Sequence, residues 1–248
     1  MKRQMVKAGI IQTKSYKNNE IGIKSVAKIL RNLGKNEVDI VCLPEQWLKD
    51  NNIVDYDKEF SEFKKISREF SMTIIPGAFY EKTSTGMSIS APVINSEGHI
   101  IGKQEKIHPF DYERNLVDPG KQAKVFETVC KFGVIVCYDM VFPSVANTLV
   151  RKGAQILVSP SRIVKRGITP WKMYVQVRAL ENRVPIIAAN VSNNRFGGNS
   201  MIVDMIERDR VMVPKVTTVK DEHVLKNFNL STYERVRKER FSDYKEFM

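Results

Sequence analysis

The chain has 248 residues, 42% of them hydrophobic and 27% charged, and a net charge of +12. This is the composition of an ordinary globular protein, and with no Ser- or Gln-rich linker a single domain over residues 1–248 is expected. No apolar run approaches the ~18 residues of a membrane span, and three cysteines without a CxxC spacing exclude a disulfide framework.

A first strand is predicted over Lys7–Thr13. Asn18 or Asn19 then caps a helix to about Leu33, with Ile21, Val26, Ile29, Leu30 and Leu33 on one face and Gly34 as its stop. Val38–Leu43 is a buried strand ended by Pro44, with Glu45 next. Phe60, Phe63, Ile66 and Phe70 give the period of a helix over Lys58–Phe70. Strands follow at Thr73–Ala78, Ser88–Ile94 and Ile100–Lys106, the last two joined by a hairpin turn at Asn95-Ser96-Glu97-Gly98. Val125–Thr128 and Phe132–Cys137 are strands. A helix runs from Pro143 to about Lys152, and Ile156–Ser159 leads into a polar loop. Pro170 opens a long helix to Asn182, and late strands are predicted at Pro185–Asn190, Ser200–Asp204 and Val211–Val216. Residues 221–248 form a charged tail anchored by Val224, Leu225, Phe228, Tyr233, Phe241, Tyr244 and Phe247, placed on the body or on a neighbouring subunit. The order β-α-β-α, then strands in series, then alternation again, is mixed α/β.

The charge is uneven. Residues 1–35 carry nine Lys/Arg against one acid, and residues 151–195 repeat that ratio. No RNP-like aromatic strand, helix-turn-helix pattern or Cys/His finger accompanies these blocks, so a solvated basic face is expected and nucleic acid is not the expected partner.

Three polar residues stand at the ends of buried strands: Glu45, Lys106 and Cys137. Singly, each has an ordinary reading, as a surface carboxylate, a solvated lysine and a small buried thiol. Together, on neighbouring strands of one sheet, they would emerge at one edge and form a catalytic set. Cys137 is then the nucleophile, active as thiolate, and Glu45 the general base for the thiol and later for water. Lys106 stabilises the oxyanion formed at a carbonyl or nitrile carbon, with the Tyr138 backbone N–H as a second donor. His108 is expected to order the turn beside Lys106.

These motifs resemble the nitrilase, or carbon–nitrogen hydrolase, superfamily. Leu43-Pro44-Glu45 with Trp47 is similar to its glutamate motif, Lys103 to His108 to its lysine motif, and Gly133 to Asp139 to its nucleophile motif. Trp171 with Arg178-Ala179-Leu180-Glu181-Asn182 resembles its long helix beside the active site, and Gly198-Asn199-Ser200 its late strand. The resemblance covers roughly residues 5 to 204. It implies an α-β-β-α sandwich of two mixed sheets with outer helices. It also implies Glu113 as a second glutamate that orients the lysine. Metal-free and cofactor-free chemistry through a thioester follows from it, as does a homodimer or higher homo-oligomer stacked through the helices after Pro143 and Pro170. Val141 and Ser144 replace an Arg and a Glu common in amidase-type relatives, and the Pro and Gly of a late turn are missing from Asp204-Met205-Ile206-Glu207.

True nitrilases commonly carry Trp-Glu after the cysteine, where this chain has Tyr138-Asp139, so small amides or N-carbamoyl compounds are expected over nitriles. Arg162, Lys165 and Arg166 lie on a loop expected to border the pocket and are candidates, with Trp47, for substrate contacts, the basic ones to a carboxylate. A cytoplasmic enzyme is expected. The alternatives are a nitrile hydrolase, or a non-catalytic or polyanion-binding protein that keeps the fold.

Overall fold

The computed structural model describes residues 4–84, 86–243 and 245; Tyr244 and Phe247, two of the expected tail anchors, lie outside them. The first half contains β1 (Met5–Ile11), α1 (Asn19–Lys35), β2 (Ile40–Cys42), β3 (Asn52–Ile53), α2 (Tyr56–Glu59), α3 (Ser61–Phe70), β4 (Thr73–Ile75), β5 (Phe79–Lys82), β6 (Met87–Ile94) and β7 (Ile100–Glu105). The second half contains β8 (Val125–Glu127), β9 (Lys131–Val134), α4 (Pro143–Arg151), β10 (Ile156–Pro160), α5 (Ile168–Asn182), β11 (Ile186–Ala189), β12 (Met201–Arg208), β13 (Val211–Thr218), β14 (His223–Asn229) and α6 (Leu230–Ser242).

The strands form two mixed sheets. One runs β14-β1-β2-β4-β6-β5-β3, with β7 also paired to β6; the other runs β13-β12-β11-β10-β9-β8. The side-chain period of two separates what each strand buries on its two faces. Val6, Ala8 and Ile10 of β1 and Ile40 and Cys42 of β2 join one core with Phe132, Val134, Ile156 and Val158 of the facing sheet. Their neighbours Ile11, Val41 and Leu43 pack instead against Val26, Leu30 and Leu33 of α1 and Phe63 and Ile66 of α3. Helices therefore cover the sheets from outside, and the expected α-β-β-α sandwich is the observed fold.

Local chemistry accounts for the boundaries. The Asn18 side chain caps α1 by accepting from Ile21 N–H. The turn at Asn95 closes as predicted, with Gly98 N–H donating to Asn95 O and the Asn95 side chain accepting from Glu97 and His99. Gly34 does not stop α1 but lies inside it. A Cβ there would stand 2.3 Å from Phe70 Cγ, so the glycine is required for the close approach of α1 and α3. Ile21, placed on the buried face by its spacing, is 43% exposed. The single helix expected over Lys58–Phe70 is broken at Phe60 into α2 and α3. Four elements lack a prediction altogether: the short β3, β5 and, within the charged tail, β14 and α6. The charged tail is also structured: β14 pairs antiparallel with β1 along its whole length, and Phe228, Leu230, Tyr233 and Val236 are buried on the same chain.

Candidate active site

The three strand ends do converge, but not as neighbours in one sheet. Glu45 follows β2 and Lys106 follows β7, both in the first sheet and not adjacent, while Cys137 follows β9 in the second. Convergence comes from the face-to-face packing of the two sheets. Glu45 N–H donates to Ser161 O just past β10, stitching the two sheet ends together beside the site.

The strand before Cys137 stops at Val134, and Cys137 opens a 3-10 turn to Val141 with φ +47°. A left-handed non-glycine residue costs on the order of 1–3 kcal/mol and is held only by its surroundings. Two anchors hold this turn. Buried Asp139 accepts from Ile107 N–H at 3.0 Å, His108 N–H at 2.7 Å and the His108 ring at 2.8 Å, tying the cysteine turn to the lysine loop. The His108 ring also stacks on Phe142 at 3.7 Å, a positioning role of the kind expected for it. From α5, the buried Arg178 guanidinium donates to Met140 O at 3.1 Å and Val141 O at 2.7 Å.

Lys106 is 1% exposed, and its Nζ lies 2.9 Å from Glu45 Oε1 and 2.7 Å from Glu113 Oε2. Phe110 N–H donates to the same Glu113 oxygen at 2.7 Å. Burial opposes the lysine's charge, but Glu45, Cys137 and Glu113 outweigh it and hold Lys106 above the ordinary lysine range. Burial, then the Glu45 charge, raise Glu113 against the opposing pull of Lys106. Cys137 is 8% exposed. Burial first, and Glu45 second, push its thiol well up, against the lowering effects of Lys106 and the Arg162 backbone N–H. Burial and the neighbouring carboxylate thus favour the neutral thiol over the thiolate at Cys137.

Among the expected substrate contacts, Arg162 reaches this centre. Its backbone lies at the Cys137 sulphur, its guanidinium donates to Gln46 Oε1, and it sits 4.7 Å from the Phe196 ring centre. Asn190, at the end of β11, fixes that loop by accepting from Ile163 N–H at 2.7 Å. Lys165 and Arg166 are exposed and stand apart from the cluster. Trp47 is not brought to it either: the ring is buried between Tyr16 and Phe63, and its N–H donates to Pro76 O at 2.7 Å. Tyr138 is half-buried, edge-on to Phe110 and Phe142.

Two residues near the centre escaped the sequence reading. Gln46 is buried with φ +46°, and its signal was a polar residue between Glu45 and the apolar Trp47-Leu48. Tyr80 lies on β5, which was not predicted. Burial, then Tyr112, push its hydroxyl up to about 12.

A family model of carbon-nitrogen hydrolases matches residues 7–217. A deaminated glutathione amidase of Dictyostelium discoideum is 27% identical, over 81% of this chain and 81% of that protein. An omega-amidase NIT2 of Xenopus tropicalis is 28% identical over 68% of each. The crystal structure of a carbon-nitrogen hydrolase from Helicobacter pylori G27 superposes with a TM-score of 0.85 at 22% identity, covering 99% of this chain and 97% of that one. With its two-sheet fold and this match over most of its length, the chain belongs to the carbon-nitrogen hydrolase family.

Proposed function

We propose that the protein hydrolyses a small amide or N-carbamoyl compound through a thioester on Cys137. The observation that carries this reading is a lysine buried between two glutamates, with the Cys137 thiol beside the same charges. Glu45 takes the thiol proton as sulphur attacks the carbonyl carbon. The oxygen that gains the negative charge is stabilised by Lys106 Nζ, a fixed cation in a water-poor site, and by the Tyr138 N–H. The C–N bond then breaks, and Glu45 returns the proton to the leaving nitrogen, which departs as ammonia or an amine. Water, deprotonated by Glu45, attacks the thioester and releases the acid and the free thiol. Glu113 takes no proton in this scheme; its charge and its hydrogen bond keep Lys106 in place. The amidase names of the sequence relatives support the reaction class.

The test is intact mass after incubation with small amides, N-carbamoyl amino acids and nitriles, with ammonia release followed in parallel. An acyl adduct is expected on the wild type and none on Cys137→Ala. Full turnover by Cys137→Ala on any substrate of the panel rules the mechanism out, and turnover of nitriles alone replaces the amide reading with the nitrile one.

A further inference from the structure

The sulphur of Cys137 carries negative charge twice in the proposed cycle, once when Glu45 takes its proton and again when the thioester breaks and sulphur leaves as thiolate. Lys106 Nζ and the Tyr138 N–H serve the carbonyl oxygen, so a different group has to face the sulphur itself. The peptide N–H of Arg162 does so: with Lys106 it draws the thiol down while burial and Glu45 push it up.

That peptide is clamped from both sides. On one side, Ser161 N–H donates to Ala189 O at 2.8 Å, and Ser161 O accepts from Glu45 N–H at 3.2 Å. On the other, Ile163 N–H donates to Asn190 Oδ1 at 2.7 Å, and Ile163 O accepts from Gly197 N–H at 3.0 Å. Asn190 is the centre of the second clamp. It is fully buried, and so is Ser200 behind it. The Asn190 Nδ2 donates to Gly198 O at 2.7 Å, its backbone N–H donates to Ser200 Oγ at 2.8 Å, and Ser200 Oγ donates back to Asn190 O at 3.0 Å. Ser200 N–H in turn donates to Gln12 Oε1, just past β1, at 3.1 Å. A buried polar network with its members satisfied is stiff and specifies one geometry. Here it joins both sheets and ends on the residue next to Arg162.

We propose that the Arg162 peptide N–H is a donor to the Cys137 sulphur as it becomes anionic, and that Asn190, backed by Ser200, is the positioning residue that holds it there. This rests on Cys137 as the nucleophile. The N–H keeps its proton throughout; Glu45 alone takes and returns one. A hydrogen bond to an ion is stronger than one to a neutral thiol, so the donor favours the charged form. The Arg162 side chain takes no part.

The sign of the effect separates this role from a structural one. Loss of the donor raises the thiol pKa. Mere loosening of the site lowers it, because admitted water relieves the burial that pushes the thiol up. The experiment titrates iodoacetamide alkylation of Cys137 against pH, read by mass on the Cys137 peptide, with ammonia release followed on an amide that the wild type hydrolyses. In Asn190→Ala the alkylation midpoint should rise by about one pH unit and kcat fall about ten-fold with KM nearly unchanged, the size of a hydrogen bond to a charged group. Arg162→Pro deletes the N–H, whereas Arg162→Ala loses the same side chain and keeps it, so the midpoint should lie about one unit higher in the proline variant. If Asn190→Ala does not fold, Ser200→Ala and the Arg162 pair carry the test. A midpoint that stays or falls in Asn190→Ala, or one equal in the two Arg162 variants, overturns the proposal. Ammonia release with an unmoved midpoint sinks this donor and leaves the hydrolase reading standing. No ammonia and no acyl adduct from the wild type sinks the hydrolase reading itself, and the donor's catalytic role with it.

Discussion

Cys137 is held in a state that looks unreactive by its own chemistry. Its thiol is pushed up by burial and by Glu45, and Lys106 only partly offsets them. That fits a thiol whose proton is taken by a base during attack rather than beforehand, so that the reactive thiolate forms only as the substrate carbon is engaged. The two effects of Glu45 can be separated by Glu45→Gln. Removing the negative charge removes a raising influence, and it frees Lys106 to act more strongly on the sulphur, so both changes lower the thiol pKa. The variant should therefore be alkylated by iodoacetamide at lower pH than the wild type while amide turnover is lost. A titration midpoint for alkylation that stays put or rises in Glu45→Gln removes Glu45 from the thiol's surroundings. The same residue-scale view explains why Lys106 was hard to read alone. A lysine at a strand end is an ordinary surface residue in any one-dimensional pattern, and only the two glutamates from distant segments turn it into a buried charge.

Elements carry the site by the way they end. β2 and β9 were legible because each lies in a short apolar run stopped by a proline or a turn, and such runs announce a buried strand, whereas β7 was legible as the strand that follows the Asn95–Gly98 hairpin turn. Their convergence was less legible. Pairing across two facing sheets depends on long-range packing that periodicity does not encode, which is why the expectation of three neighbours in one sheet failed. β5 failed for a related reason: Phe79-Tyr80-Glu81-Lys82 mixes apolar and charged residues with no run to detect, so Tyr80 was missed with it. Gly34 read as a helix stop because glycine commonly is one; the Phe70 ring that requires it lies far along the sequence. α5 is an element whose motif was recognised before its task was visible. Its Arg178 meets two carbonyls of the cysteine turn. Arg178→Met should lose about 2–4 kcal/mol of stability for those unmet acceptors and lower kcat more than KM, since the turn supporting Cys137 loosens. Arg178→Lys, with one compact donor head in place of a planar fork, should recover only part of each. Ammonia-release kinetics and thermal melting read both; wild-type kcat in Arg178→Met removes the positioning role.

At the scale of the whole molecule, the site exists only while the two sheets stay face to face, and the last part of the chain helps to hold them there. β14 lies along β1 at the edge of the first sheet, while Lys226 on β14 reaches Asp204 of β12 in the second sheet at 2.5 Å. The hydroxyl of Tyr233 on α6 donates to the same aspartate. Burial here raises the tyrosine beyond its ordinary range, and its bond to Asp204 adds to the shift. Leu230, Tyr233 and Val236 are each less than 10% exposed. Burying a large apolar side chain contributes about 1.5–3 kcal/mol, so the three together amount to roughly 5–9 kcal/mol, comparable with the ~5–15 kcal/mol of net stability that a typical protein has. Ending the chain after Asn229 removes all three, frees Asp204 from its Tyr233 partner while Lys226 and the Met205 N–H remain, and uncovers apolar surface of the inter-sheet core. The shortened protein should be insoluble or melt far below the full chain, and it should release no ammonia from any amide that the full chain hydrolyses. A soluble product with the full chain's melting temperature and turnover would instead show α6 to be an appendage, leaving β14 and the core between the sheets to hold Glu45 and Lys106 against Cys137 alone.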